Sequence, residues 1–458
     1  MEMQIQGVVK EEDSHERQGT VWTATAHVIT ATVGSGVLAL AWSVAQLGWI
    51  IGPIALFAFA AITYYTSSLL ADCYRYPDPI NGSRNPTYIG AVKSYLGPKN
   101  VLVCVIAQYT DLWGAMISYT ITSATSMREV MKHETKGSSV SGNMCMIMFG
   151  VISILLSLFP NLEEITWLSI LAAVMSFGYS IISLCLCIAK FISHGNMLGS
   201  LMGVMSMHNE NISSATKTWQ IFQALGNIAF AFTFSQVLIE IQDTLKSPPS
   251  ENVAMKKASL YGISFTTIFY VAIGCIGYAA FGNATPGNIL TGFSKPFWLV
   301  DIANIFIIVH LVGAYQVFAQ PIFAAVEKKL ASMWPGATFF QTVCTVRVPF
   351  TKTKSVKLMP GSFLLRSSII VLTTLVSMLL PFFNAIMGWL GAAAFWPLTV
   401  YLPITMYLSQ RKIKRGAPKW FLLHGLCLGC LVVCFAALVG STVGIIDSLK
   451  HAKPFHMD

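Results

Sequence analysis

The sequence predicts an all-α polytopic membrane protein, on three observations. Of 458 residues, 54% are hydrophobic and only 11% charged, against about 25% charged in an ordinary soluble chain. Apolar stretches recur along the chain, each near the roughly 20 residues a helix needs to cross a hydrocarbon core about 30 Å thick. None of them alternates polar and apolar with period two, as barrel strands do.

Taken in order, the chain opens with a polar tail, residues 1–20, rich in acid (Glu11, Glu12, Asp13, Glu16), which reads as disordered. No cleavable leader precedes the first apolar stretch, so that stretch directs insertion itself. Eleven spans follow, at 21–46, 50–72, 101–127, 143–160, 165–189, 219–242, 257–281, 297–326, 364–382, 384–408 and 421–446. Trp22, Trp49, Trp219, Trp298 and Trp420 fall at span ends, the depth an amphipathic ring prefers. The longest connection, from Glu327 to about Phe363, carries Lys352, Lys354 and Lys357 and suits a membrane surface, or is simply solvated topogenic charge. Residues 21–446 therefore form one transmembrane domain, and 447–458 a short tail.

The net charge of +9 has its explanation in topology rather than in a nucleic-acid partner. With the amino terminus in the cytosol, 21 Lys and Arg fall on the cytosolic side and 8 on the other, as the positive-inside rule requires. Eleven spans then put the carboxyl terminus outside. The glycosylation patterns at Asn211 and Asn283 fall in outer loops and that at Asn81 in an inner one, mild support for this topology only, with a glycoprotein as the expectation. Most of the ten cysteines sit within apolar spans, where cysteine packs as a small hydrophobe. Cys427 and Cys430 form a lone C-x-x-C with no second pair, so neither a metal nor another cofactor is expected. With no H-E-x-x-H and no G-x-S-x-G, an enzyme is not expected either.

The first span holds an oddity, Gly34-Ser35-Gly36 near its middle. Each glycine costs a helix interior about 1 kcal/mol relative to alanine. Two readings stay open on this segment: a small-residue packing seam, or a break in the helix. The literal G-x-G-x-x-A of "GSGVLA" lacks the surrounding βαβ unit of a dinucleotide site. A break at mid-membrane is tolerated only beside protein or a wet cavity. It would expose N–H groups and the positive dipole end near Gly34 to Val37 to a carboxylate. Span 6 has a matching oddity, Asn227 followed by Phe230 to Ser235, and its carbonyls near Phe230 to Phe232 would face a cation. Together they fit an α-amino acid zwitterion. Span 1 and span 6 run in opposite directions, the pattern of inverted five-helix repeats in transporters.

Several segments resemble plant amino acid permeases: "TVWTATAHVITATVGSGVLALAWSVAQLGWIIGP", "LLADCYRYPDP", "IAFAFTFSQVLIEIQDTLKSPP", "YAAFGNATPGNILTGF", "FWLVDIANIFIIVHLVGAYQVFAQPIFA" and "AFWPLTVY". The resemblance, to the amino acid/auxin permease group, spans Thr20 to about Gly440. It implies eleven helices, a leucine-transporter-like fold of two inverted five-helix repeats with spans 1 and 6 broken, proton-coupled amino acid import, and a plant plasma membrane. It favours the break over the seam at Gly34-Ser35-Gly36. Many members carry aspartate where this chain has Asn227, and tyrosine where it has Phe232 and Phe234. The short loop from Met131 to Asn143 lacks the cysteines many members have there.

The expected substrate site comprises Thr32, Val33, Gly34, Ser35, Gly36 and Val37 on span 1 and Phe230, Phe232, Thr233 and Ser235 on span 6. Tyr109 and Trp113, at i, i+4 on span 3, would cover a bound side chain, with Phe230, Phe232 and Phe234 as the other wall. The proton needs a group that changes charge, and intramembrane ionisable residues are the candidates: Asp111, His27, Glu240 and His310. Expected partners are amino acids, protons and lipid. The alternatives are a carrier of another carboxylate such as auxin, and an amino acid sensor without net transport.

Overall fold

The computed structural model describes residues 17–134, 140–158, 166–204, 213–334, 344–347, 355–358 and 360–451. Most of the acidic tail, Asn211 and the last seven residues lie outside these. The helices are α1 (Val21–Thr32), α2 (Leu40–Asp72), α3 (Tyr88–Tyr95), α4 (Pro98–Glu134), α5 (Gly142–Leu156), α6 (Thr166–His194) and α7 (Ser214–Ala231). Then come α8 (Leu238–Asp243), α9 (Glu251–Phe281), α10 (Phe297–Met333), α11 (Pro360–Leu379), α12 (Phe383–Ala394), α13 (Leu402–Gln410) and α14 (Pro418–His451). A π-helical turn, Phe395–Tyr401, joins α12 to α13.

Nine helices among the described residues are long and apolar enough to cross a membrane, and the shorter Gly142–Leu156 stands at the predicted span 4. Spans 1 and 2 meet inside α2 rather than across a loop. The division is a single residue, Gly48, at φ 80°, ψ 178°, a left-handed backbone that a side chain disfavours. Loop residues pack directly on its bare Cα, and Trp49 and Ile50 donate their N–H groups to Ser200 and Leu201.

α2 packs along α9, α10 lies against α6 and α4, and α7 is held between α12 and α14. Ile106, Val174, Phe265, Ile268 and Leu428 stay exposed, as surfaces that meet lipid do. Inside, hydroxyls with no water to bond turn back on their own helices: Thr66, Thr120, Ser183, Thr373 and Thr374 each donate to the carbonyl four residues earlier.

The face that carries Arg17 is termed proximal here, and the opposite face distal. Polar contacts concentrate on the proximal face. β1 (Arg75–Tyr76) and β2 (Ser83–Arg84) pair antiparallel, and Arg75 and Arg84 both reach Glu251, which is 2% exposed, at 2.7 and 3.0 Å. Asp72 accepts from Asn252 and pairs with Lys256 at 2.7 Å. The end of the tail is latched to α8: Gly19 exchanges backbone hydrogen bonds with Thr244 and Lys246, and Arg17 reaches Asp243 at 3.1 Å. Tyr74 donates to the same carboxylate at 2.5 Å; burial and this bond push its hydroxyl well above the usual range, so it remains a donor. The long connection after α10 holds a hairpin, β3 (Cys344–Arg347) with β4 (Ser355–Leu358). Lys357 is part of it, and Lys352 and Lys354 lie outside the described residues.

Candidate functional site

Both odd centres are breaks. α1 stops at Thr32; Val33 (ψ 88°) and Gly34 (φ −132°, ψ −155°) leave the helical region, and the chain restarts as a 3₁₀ turn over Ser35–Ala39. α7 stops at Ala231, and the chain runs through Phe232 to Phe234 before a 3₁₀ turn at Ser235–Val237 leads into α8. One residue that sequence reasoning missed ties the two ends together. The buried Tyr270 hydroxyl of α9 lies 2.6 Å from the Thr32 carbonyl and 3.2 Å from that of Ala231, with Phe232 edge-on against its ring. Thr266, one turn earlier, shares a hydrogen bond with the Thr32 hydroxyl.

The two glycines have different tasks. A Cβ on Gly36 would lie 3.2 Å from both Ala231 Cα and Phe230 Cδ1, so Gly36 is where the broken rods touch. A Cβ on Gly34 would meet nothing within 4 Å. Its backbone is extended and accepts any residue, so what the glycine supplies is open space. Both readings of the motif therefore hold, one at each glycine.

The breaks leave specific backbone groups free. The Gly34 N–H turns back to the Thr32 carbonyl and the Val37 N–H to that of Gly34. Of the four donors expected between Gly34 and Val37, those of Ser35 and Gly36 are without an acceptor among the described residues, because the 3₁₀ turn consumes that of Val37. On span 6 the free carbonyls are shifted likewise. Phe230 accepts from Thr233 and Ala231 from Tyr270, which leaves Phe232 and Thr233. The Ser35 and Ser235 hydroxyls are buried with no partner among the described residues.

A cavity of about 310 Å³ reaches these breaks from the proximal side, and its wall includes Gly34, Thr233, Phe234, Gln236, His27, Tyr119 and His310. Among the described residues no Asp, Glu, Lys or Arg lines it. Thr32, Val33, Ser35, Gly36, Val37, Phe230, Phe232 and Ser235 stand behind this wall. The aromatic expectations are corrected in three places. Phe232 is fully buried against Tyr270, and Phe234 takes the wall. Phe230 packs at Gly36. Tyr109 and Trp113 pack against the core, and α4 presents Tyr119 two turns further on, edge-on to Phe318.

The four ionisable candidates separate by position. Asp111, 3% exposed, accepts a 2.5 Å hydrogen bond from the Gln236 amide through one oxygen, and its other oxygen is buried without a partner among the described residues. Gln236 lies in the turn after the span 6 break and lines the cavity, so Asp111 is one side chain away from it. His310 gives its Nδ1–H to the Ala172 carbonyl at 2.9 Å, since a carbonyl only accepts. That leaves Nε2 as its uncommitted nitrogen. His27 is exposed on the cavity wall. Glu240, like Asp111 absent from the cavity wall, accepts from the Tyr88 N–H at 3.0 Å, capping α3.

Among the described residues no group of three His, Cys, Asp or Glu could hold a metal ion. Cys427 and Cys430 are free thiols.

Residues 17–447 match the family model described as transmembrane amino acid transporter protein. Amino acid permease 3 of Arabidopsis thaliana is 49% identical over 460 residues, covering 98% of this chain and 95% of its own. Two solved structures share the fold at low identity. MhsT in complex with L-phenylalanine gives a TM-score of 0.56 at 10% identity, over 93% of this chain and 100% of that one. Mhp1, a nucleobase-cation-symport-1 family transporter, closed with bromovinylhydantoin bound, gives 0.52 at 13%, over 97% and 95%.

Proposed function

This chain belongs to the transmembrane amino acid transporter family, and from that premise we propose that it imports amino acids together with protons by alternating access. Its relatives and fold neighbours are transporters, not enzymes. One observation carries the substrate reading: at the paired breaks two N–H groups, of Ser35 and Gly36, and two carbonyls, of Phe232 and Thr233, are without partners among the described residues, beside a cavity wall that includes Gly34, Thr233 and Phe234 and no described Asp, Glu, Lys or Arg. Donors at the start of a helical segment suit a carboxylate and carbonyls at the end of one suit an ammonium. Buried peptide dipoles recognise both ends of a zwitterion without the cost of burying full charges.

Two cavities on opposite faces support the transport cycle. The proximal one reaches the breaks; a distal one of about 510 Å³ is bounded by the starts of α7 and α12 and the end of α14, and at the breaks themselves Gly36 meets Phe230 and Ala231. Opening that contact and closing the proximal walls exchanges the sides. For the proton, Asp111 is the group best placed. Protonating it removes the charge that holds Gln236, and with it the turn that follows the span 6 break. Eleven crossings, with Gly48 dividing the first two, an inverted five-plus-five arrangement, a cytosolic amino terminus and a plasma-membrane location complete the proposal.

The test is uptake of a labelled amino acid panel, with auxin included, at two external pH values in cells lacking their own permeases. Accumulation that rises as external pH falls is expected. Accumulation that ignores pH rejects proton coupling, and auxin uptake without amino acid uptake, or binding without uptake, rejects the substrate or the transport.

A further inference from the structure

The loop between α13 and α14 gathers five cations in nine residues, Arg411, Lys412, Lys414, Arg415 and Lys419, with no acid among them. All five are exposed. They stand on the proximal face, where Gln410 ties the root of the loop to the Asp72 carbonyl and the Tyr95 hydroxyl. Two of them are engaged. Arg411 lies 3.9 Å from Asp72, and Lys419 donates to the Tyr407 hydroxyl at 2.6 Å and lies over that ring. Lys412, Lys414 and Arg415 have no ion pair and no side-chain hydrogen bond among the described residues. Asp78, on the same face, gives its carboxylate to the Ile80 and Asn81 N–H groups instead.

The backbone holds these three cations in an ordered turn. At the end of α13 the Lys412 N–H bonds to the Ser409 carbonyl and the Ile413 N–H to that of Leu408, both at 3.2 Å. This pair of bonds is the Schellman closure, which sets a left-handed residue, usually glycine, just past the helix. Here that residue is Lys412, at φ 48°, the one non-glycine with a left-handed backbone among the described residues. A second turn follows, from the Ala417 N–H to the Lys414 carbonyl at 3.2 Å, with Gly416 at φ 92°. Charge that only fixes topology can sit on any loop. It requires neither two consecutive turns nor a lysine where glycine fits without strain, and strain of this kind gathers at sites with a task.

The chemistry of the partner follows from what adjoins the loop. α14 leaves it with Trp420, a ring suited to headgroup depth, and then presents Phe421, Leu422, Leu428 and Val432, each 61–68% exposed, a surface that suits acyl chains. A headgroup with a single charge would leave most of the free cations idle. An inositol lipid with a phosphate monoester brings a charge of about −1.5 to −2 on that group beside its phosphodiester, which matches three. We propose that the α13–α14 loop docks a phosphorylated inositol lipid of the proximal leaflet, phosphates on Lys412, Lys414 and Arg415 and chains along the start of α14. The site stands on this loop alone, whatever the chain carries.

Native mass spectrometry of the full-length protein in detergent, titrated with short-chain phosphatidylinositol phosphate, tests it, with phosphatidylserine and water-soluble inositol phosphate run in parallel. Wild type binds the inositol lipid more tightly than either. Lys412→Gly keeps the turn, melts at or above wild type, and weakens lipid binding about 5-fold; adding Lys414→Gln and Arg415→Gln brings the loss to the order of 100-fold, at about a factor of five per cation. Phosphatidylserine bound as tightly as the inositol lipid reduces the loop to diffuse charge and overturns the proposal. Inositol phosphate bound as tightly overturns the lipid as its source. Absence of binding, or binding unchanged in the triple variant, overturns the site.

Discussion

Gly34 and Gly36 stand two residues apart in one apolar segment, and the structure predicts opposite consequences for filling them. In Gly36→Ala the new methyl would sit 3.2 Å from Ala231 Cα and Phe230 Cδ1 and 3.3 Å from Ala231 Cβ, so two backbones must part by a few tenths of an ångström. Overpacking of this kind costs about 1–3 kcal/mol. In Gly34→Ala the methyl enters open space at φ −132°, and reduced freedom of the unfolded chain offers about 0.4–1 kcal/mol in return. Thermal unfolding of the purified variants, read beside uptake kinetics, separates the two. Gly36→Ala is expected to melt a few degrees below wild type. Gly34→Ala is expected to melt at or above it while its KM rises, and Gly34→Leu, with a branched four-carbon side chain entering the cavity, to lose uptake while still folding. Equal melting losses at both positions, or normal uptake by Gly34→Leu, would refute the assignment of one glycine to packing and the other to ligand.

Asp111→Asn keeps the size and an acceptor for Gln236 but cannot change charge; it is expected to abolish the pH dependence of uptake while exchange of labelled for unlabelled substrate persists, and an unchanged pH profile moves the proton elsewhere. Gly48→Ala forces a side chain into a left-handed backbone that loop residues already cover; a cost above about 2 kcal/mol predicts aggregated protein in size-exclusion chromatography, and a monodisperse peak contradicts it. Glu251→Gln removes a buried carboxylate that pairs with both Arg75 and Arg84. Stranding buried charge costs about 3 kcal/mol, less whatever the part-exposed Arg84 recovers from water, and a melting temperature equal to that of wild type rejects the pairing as a stabilising element.

Much of the helical plan was legible because a bilayer demands long apolar runs and little else satisfies them. Described helices stand at all the predicted stretches, and both breaks fall at the residues whose composition marked them. What escaped has physical reasons. Spans 1 and 2 read as two helices because Gly48 offers no length of polar loop, and a one-residue division leaves almost no compositional trace. α3 and the two hairpins are too short for periodicity to register. Tyr270 is one of 15 tyrosines, and nothing local shows that it lies between two helix ends brought together by the fold. Phe232 and Phe234 are alike in sequence, yet an unwound segment does not follow the 3.6-residue repeat, so which ring faced the cavity was open. Gln236 had a usable signal, an amide in an apolar segment just past the break, where only a buried partner would keep it.

The latch between the end of the tail and α8 bears on how such a molecule moves. α1 is 12 residues long, joined to the rest of its rod through Val33 and Gly34, and Gly19 at its other end is stitched to the strand leaving α8. In the proposed cycle, a swing of either half-rod alone would have to break both of these Gly19 bonds. Like two oars lashed at the handle, they would sweep together, a push felt at either delivered to both.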